Sequence, residues 1–63
     1  MKPLGMHIGI IHAGTLVYDV TAGKYRTIKQ KIRVNLIVRR DNTYSFVYNN
    51  KEYIVHADNV TLE

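Results

Sequence analysis

The chain has 63 residues, room for a single domain and no more. Such a domain buries only about 60% of the surface its unfolded form exposes, so its core is thin. It has no cysteine, which excludes a disulfide framework and a thiolate zinc site, and its 46% hydrophobic content is far too high for a disordered tail. Nine Lys and Arg against five Asp and Glu leave a net charge of +4, and seven of the cations (Lys24, Arg26, Lys29, Lys31, Arg33, Arg39 and Arg40) lie between Asp19 and Asp41 with no acid among them.

The opening Met1-Lys2-Pro3-Leu4-Gly5-Met6-His7 carries an early positive charge, but Pro3, Gly5, His7, Gly9 and His12 break the apolar stretch a signal peptide would need. No run of about eighteen apolar residues exists to span a membrane as a helix. The expected location is therefore cytoplasmic. Met6 to Ile11 reads as an extra strand or an ordered extension, with Met6, Ile8 and Ile10 on one side and its glycines weakening the pattern.

Thr15 to Val20 reads as a strand ended by Thr21-Ala22-Gly23, and residues 21–30 have no clean period, which predicts a long, basic, irregular hairpin loop. The clearest strand is Lys31 to Arg39: Ile32, Val34, Leu36 and Val38 share one face, and Lys31, Arg33, Asn35, Ile37 and Arg39 the other. Arg40-Asp41-Asn42-Thr43 supplies turn chemistry, with Asp41 as its side-chain cap. In Tyr44 to Tyr48, Tyr44, Phe46 and Tyr48 share a face. Asn49-Asn50 suits a tight hairpin, because asparagine tolerates positive φ, and Glu52 to His56 returns as the partner strand. Ala57-Asp58-Asn59 fits one 3₁₀ turn, with Asp58 as its expected cap, and Val60 to Glu63 closes as a short strand.

The expected fold is thus all-β, a small antiparallel barrel of five or six strands with one 3₁₀ turn near its end. It forms one domain over 1–63, with 1–13 as extension or extra strand and 14–63 as the barrel. The order of elements resembles that of a Src-homology-3-like barrel. Gly14-Thr15-Leu16-Val17-Tyr18-Asp19-Val20 resembles the Ala-Leu-Tyr-Asp-Tyr opening of the eukaryotic family. Tyr48-Asn49-Asn50-Lys51-Glu52-Tyr53-Ile54-Val55-His56-Ala57-Asp58-Asn59-Val60 is similar to the ending of the bacterial branch and of lactobacillus cell-surface domains. The resemblance covers roughly 14–62 and implies fold rather than function. The aromatic ladder that grips proline-rich ligands is absent: Val20 replaces the second Tyr of the opening, there is no tryptophan, and the closing Tyr is Asn59 or Val60.

Catalytic chemistry has little to stand on. His7, His12 and His56 share no i, i+4 spacing, so no metal is expected. The acids are Asp19, Asp41, Glu52, Asp58 and Glu63. Asp41 and Asp58 sit in predicted turns, so no paired carboxylates are expected. Ser45 lies between two strand aromatics with no nearby base. No cofactor motif is present, and the expectation is a non-enzymatic binding module.

The candidate contact residues are Lys24, Tyr25, Arg26, Lys29, Lys31, Arg33, Ile37, Arg39 and Arg40. They combine a basic stretch that would steer an acidic protein partner with an apolar surplus (Ile37, Val47, Ile54 and Met6 to Ile11) that the small barrel interior does not absorb. The first expectation is a protein-docking domain that forms homo-oligomers, as a small regulator or inhibitor of phage or mobile-element type would. The second is a nucleic-acid-binding barrel, with basic strands and aromatic platforms. The third, implied by the bacterial resemblance, is attachment to an anionic cell-wall polymer.

Overall fold

A computed structural model describes residues 5–63. The first four residues, part of the stretch read against a signal peptide, lie outside the described residues. Seven strands and one 3₁₀ turn follow in order: β1 Met6–Ile11, β2 Leu16–Asp19, β3 Lys24–Thr27, β4 Ile32–Val38, β5 Thr43–Tyr48, β6 Lys51–His56, the turn Ala57–Asn59, and β7 Thr61–Leu62. They form one antiparallel sheet in the order β3-β2-β6-β5-β4-β1-β7, curled into a half-barrel.

The count is seven where five or six were expected, because the supposed irregular loop at 21–30 contains a strand. β3 pairs along its whole length with β2, from Leu16 opposite Thr27 to Asp19 opposite Lys24. Lys24-Tyr25-Arg26-Thr27 has no apolar alternation because all four residues are exposed on a sheet edge. A burial pattern therefore never marks it. β1 is an integral strand held between β4 and β7.

The local signals for turns carry through. Asn49 and Asn50, joining β5 to β6, have φ of 54° and 63°, the paired left-handed conformation of a two-residue hairpin. Asn42, between β4 and β5, is also left-handed at φ 61°. The 3₁₀ turn is capped differently from the expectation. His56, not Asp58, is its N-cap, and the ring Nδ1 accepts the Asp58 N–H at 3.3 Å. Asp58 supplies the backbone donor, and its own side chain stays exposed.

Antiparallel pairing places directly opposed residues on one face. The inner face carries the core: Ile11, Val17, Ile32, Val34, Leu36, Phe46 and Val55 are buried, with Ile28, Tyr44, Tyr48, Tyr53 and Val60 packed around them. Val38 departs from the expectation at 38% exposure. It is the last residue of β4 and rests against Gly5 at the rim rather than over the core. Ile11, read from the sequence as part of the apolar surplus outside the barrel interior, is instead buried in the core. It lies on the opposite side of β1 from Met6, Ile8 and Ile10, together with Gly9. A Cβ on Gly9 would run into Leu36 Cδ1 and stand 3.2 Å from the Thr61 carbonyl oxygen, so only glycine lets β1 approach this closely.

Candidate functional site

The outer face carries a single cross-strand row. Met6 opposes Ile37, Ile37 opposes Ser45, Ser45 opposes Ile54, Ile54 opposes Tyr18, and Tyr18 opposes Tyr25. Six strands thus contribute one residue each, and only Ser45 at the middle is polar and small. Met6 is 53% exposed, Ile37 50% and Tyr25 66%. Tyr18 and Tyr25 meet edge to face, with ring centroids 5.1 Å apart. Leu16, Ile8 and Val47, also exposed, widen the row. A shallow depression of about 250 Å³ opens between Leu16, Tyr18, Tyr25 and Ile54. Met6, Ile8, Ile37, Val47 and Ile54 of the apolar surplus read from the sequence therefore share one surface, while Ile11 belongs to the core.

A larger groove, about 720 Å³, opens alongside β3 and the connection from β3 into β4. One wall is the unbroken run from Lys24 to Gln30, and the other is Ile32, Tyr48, Asn49 and Tyr53, with Val17 at the floor. Lys24, Arg26 and Lys29 bring three cations to this groove, and no acid lines it.

The nine candidate contact residues do not form one site. Lys24, Tyr25, Arg26 and Lys29 line the groove, and Lys31 follows on the connection into β4. Ile37 belongs to the outer row. Arg39 and Arg40 lie past the opposite end of β4, roughly 20 Å along the strand from its start at Ile32.

Several cations have partners that sequence spacing hides. Arg26 Nε donates to Asp19 Oδ2 at 2.6 Å. Arg33 clasps Glu63 with two parallel bonds, 2.6 Å from Nε and 2.9 Å from Nη2. The Arg39 Nε donates to Thr43 Oγ1 at 3.1 Å and lies 3.8 Å from the Asp41 carboxylate. The acids feel these contacts. The Ala22 N–H and then the Arg26 side chain hold the Asp19 carboxyl below its ordinary value. Thr43 does the same for Asp41, and Arg33 for Glu63. Lys24, Lys29, Lys31 and Arg40 form no ion pair among the described residues.

No three of the described histidines and acids converge to hold a metal ion. No described helix is long and apolar enough to cross a membrane. Ser45 is buried at the centre of the outer row between Ile37 and Ile54. The chain matches no known protein family, no curated protein and no solved structure.

Proposed function

We propose that this domain is a non-enzymatic protein-docking module that self-associates through its outer face. The observation that carries the reading is the row Met6–Ile37–Ser45–Ile54–Tyr18–Tyr25, an apolar band crossing six strands on the surface away from the core. Contiguous exposed apolar surface on a small protein marks an interaction site. A second copy is the simplest occupant, because a two-fold axis across a row of this kind sets like against like. The gain is large for this chain, whose core holds seven buried apolar side chains and whose size limits what folding alone can bury.

The strand order from β4 onward (long strand, short loop, strand, two-residue hairpin, strand, 3₁₀ turn, short strand) supports a Src-homology-3-like barrel as the finer description of the fold. Within that description β2 and β3 form the long hairpin between the first strand and the central one.

A nucleic-acid reading has one observation in its favour, the groove that sets Lys24 and Lys29 beside Tyr48 and Tyr53. Against it, Arg26, Arg33 and Arg39 already face acids, so only part of the basic stretch is left for phosphates. Capture from the native host's lysate, with and without nuclease, separates the two readings when wild type is compared with Ile37→Glu. The docking reading expects a nuclease-resistant protein that the substituted bait loses. Capture that disappears with nuclease and ignores Ile37 would favour nucleic acid.

A further inference from the structure

The groove beside β3 takes in the free edge of that strand as well as the inner face, where Val17, Ile32 and Tyr53 also line it. Seven consecutive residues, 24–30, line it. Successive side chains of a strand point to opposite faces, so a groove over one face would meet alternate residues only. Among the described residues, β3 is the terminal strand of the sheet, with β2 as its sole neighbour.

Pairing decides which backbone groups that edge offers. The Val20 N–H donates to the Glu52 carbonyl at 3.1 Å, two residues beyond the Tyr18–Ile54 pair, so Val20 and Tyr18 turn their backbone groups toward β6. Alternation then turns those of Val17 and Asp19 toward β3, where they oppose Arg26 and Lys24. The Ile28 N–H bond to the Thr15 carbonyl continues the same phase. It follows that Lys24 and Arg26 spend their N–H and C=O groups on β2, while those of Tyr25 and Thr27 face the groove.

We infer that this edge accepts an extended acidic peptide segment as an added antiparallel or parallel strand, pairing with the N–H and C=O of Tyr25 and Thr27. The main chain of the segment would extend the sheet by one strand beyond β3, its terminal strand. Acidity follows from the lining: Lys24 and Lys29 have no ion-pair partner among the described residues, Arg26 adds a third positive group, and no carboxylate stands in the groove. Tyr48, Tyr53 and Ile32 on the far wall offer apolar contact to alternate side chains of the segment. The natural edge-strand defences against such pairing are charge and brevity. Here the charge is of one sign, which repels basic strands and admits acidic ones. This site meets the outer row at Tyr25, which gives its ring to the row and its backbone to the edge, and the peptide pairing does not depend on self-association.

The probe is a fluorescein-labelled hexapeptide alternating glutamate and valine, compared with its lysine–valine counterpart and with a short oligothymidylate. Wild type is expected to bind the acidic peptide saturably, the basic one not at all, and the oligonucleotide more weakly than the acidic peptide. Lys24→Glu/Lys29→Glu should weaken the acidic peptide by about tenfold or more, as loss of paired charge at a polar rim does. Hydrogen exchange at single amides supplies the specific readout: the peptide should slow Tyr25 and Thr27 and leave Lys24 and Arg26, already bonded to β2, unchanged. Thr27→Pro should remove the binding while keeping the fold, since its N–H serves no ladder bond. If that variant fails to fold, the lysine variant and the exchange pattern carry the test. No acidic-peptide binding, binding without protection at Tyr25 and Thr27, or tighter binding of the oligonucleotide would each overturn the inference.

Discussion

Arg26 Nε sits 2.6 Å from Asp19 Oδ2 across the β2–β3 pair, while the other carboxylate oxygen of Asp19 accepts the Ala22 N–H at 3.0 Å. One side chain, fully shielded from solvent, thus ties the far strand to the near one and closes the turn between them. The Gly23 N–H completes the turn on the Asp19 carbonyl at 2.8 Å, with Gly23 at φ 69°. This cluster is why residues 21–30 form an ordered hairpin instead of a loose loop.

Asp19→Asn should therefore lower the melting temperature at neutral pH and flatten its dependence on acid. The folded carboxyl lies below its ordinary value of 3.8, so the unfolded chain takes up the proton first as pH falls. The contribution is complete above the unfolded value and disappears as pH drops through the folded one. Thermal melts from neutrality to about pH 2 should show a shallower acid decline in the variant, the remainder coming from Asp41 and Glu63, which are shifted the same way. Parallel pH profiles for variant and parent would mean that the contacts of Asp19 are not formed in solution.

Ile11→Ala should cost about 2–5 kcal/mol, against a total of roughly 3–9 kcal/mol for a domain of this length. Ile8→Ala, on the outer face of the same strand, should stay within about 0.5 kcal/mol unless association is being measured. Chemical denaturation of the two monomeric proteins checks the face assignment of β1. Equal costs would mean that the strand is turned over.

Gly9→Ala should destabilise by about 1–3 kcal/mol, as overpacking does. The cause is the collision of the added Cβ with Leu36 Cδ1. Leu36→Val removes that carbon, so the double variant should cost less than the two single changes added together. Strict additivity would show that β1 does not approach β4 so closely.

The basic residues should respond unequally. Lys24→Ala/Lys29→Ala removes groups with no described ion pair, and the fold should not notice. Arg33→Ala breaks the clasp on Glu63, whose N–H also bonds the Ile8 carbonyl at 2.9 Å, so hydrogen exchange at Glu63 should quicken. Wild type should bind random-sequence duplex DNA feebly at about 150 mM salt. Tight binding with a log–log salt slope of about −0.9 for each neutralised phosphate would instead place the nucleic-acid reading first.

Much of the fold was legible where period and turn chemistry agreed. β4, β5 and β6 were marked by alternation, and the Asn49-Asn50 hairpin by residues that tolerate left-handed backbone. β3 was illegible because an edge strand exposed on all sides has no burial pattern to display. Ile11 was hidden by glycine: with Gly9 as its neighbour on the inner face, the apolar alternation of β1 falls in sequence on the side of Met6, Ile8 and Ile10. The candidate site was half legible. Composition pointed to basic and apolar surplus, but only strand register aligns Met6, Ile37, Ile54, Tyr18 and Tyr25, and only tertiary contact matches Arg26 and Arg33 to their acids.

The most direct test of the docking face is sedimentation velocity of wild type and Ile37→Glu from low micromolar to millimolar concentration. Ile37 is half exposed on the outer row, so its replacement should leave the monomer's melting behaviour unchanged. The account predicts that wild type sediments faster as concentration rises, approaching a dimer, while Ile37→Glu remains a monomer throughout. A wild-type protein that stays monomeric over the whole range, or a variant that associates equally well, would contradict it.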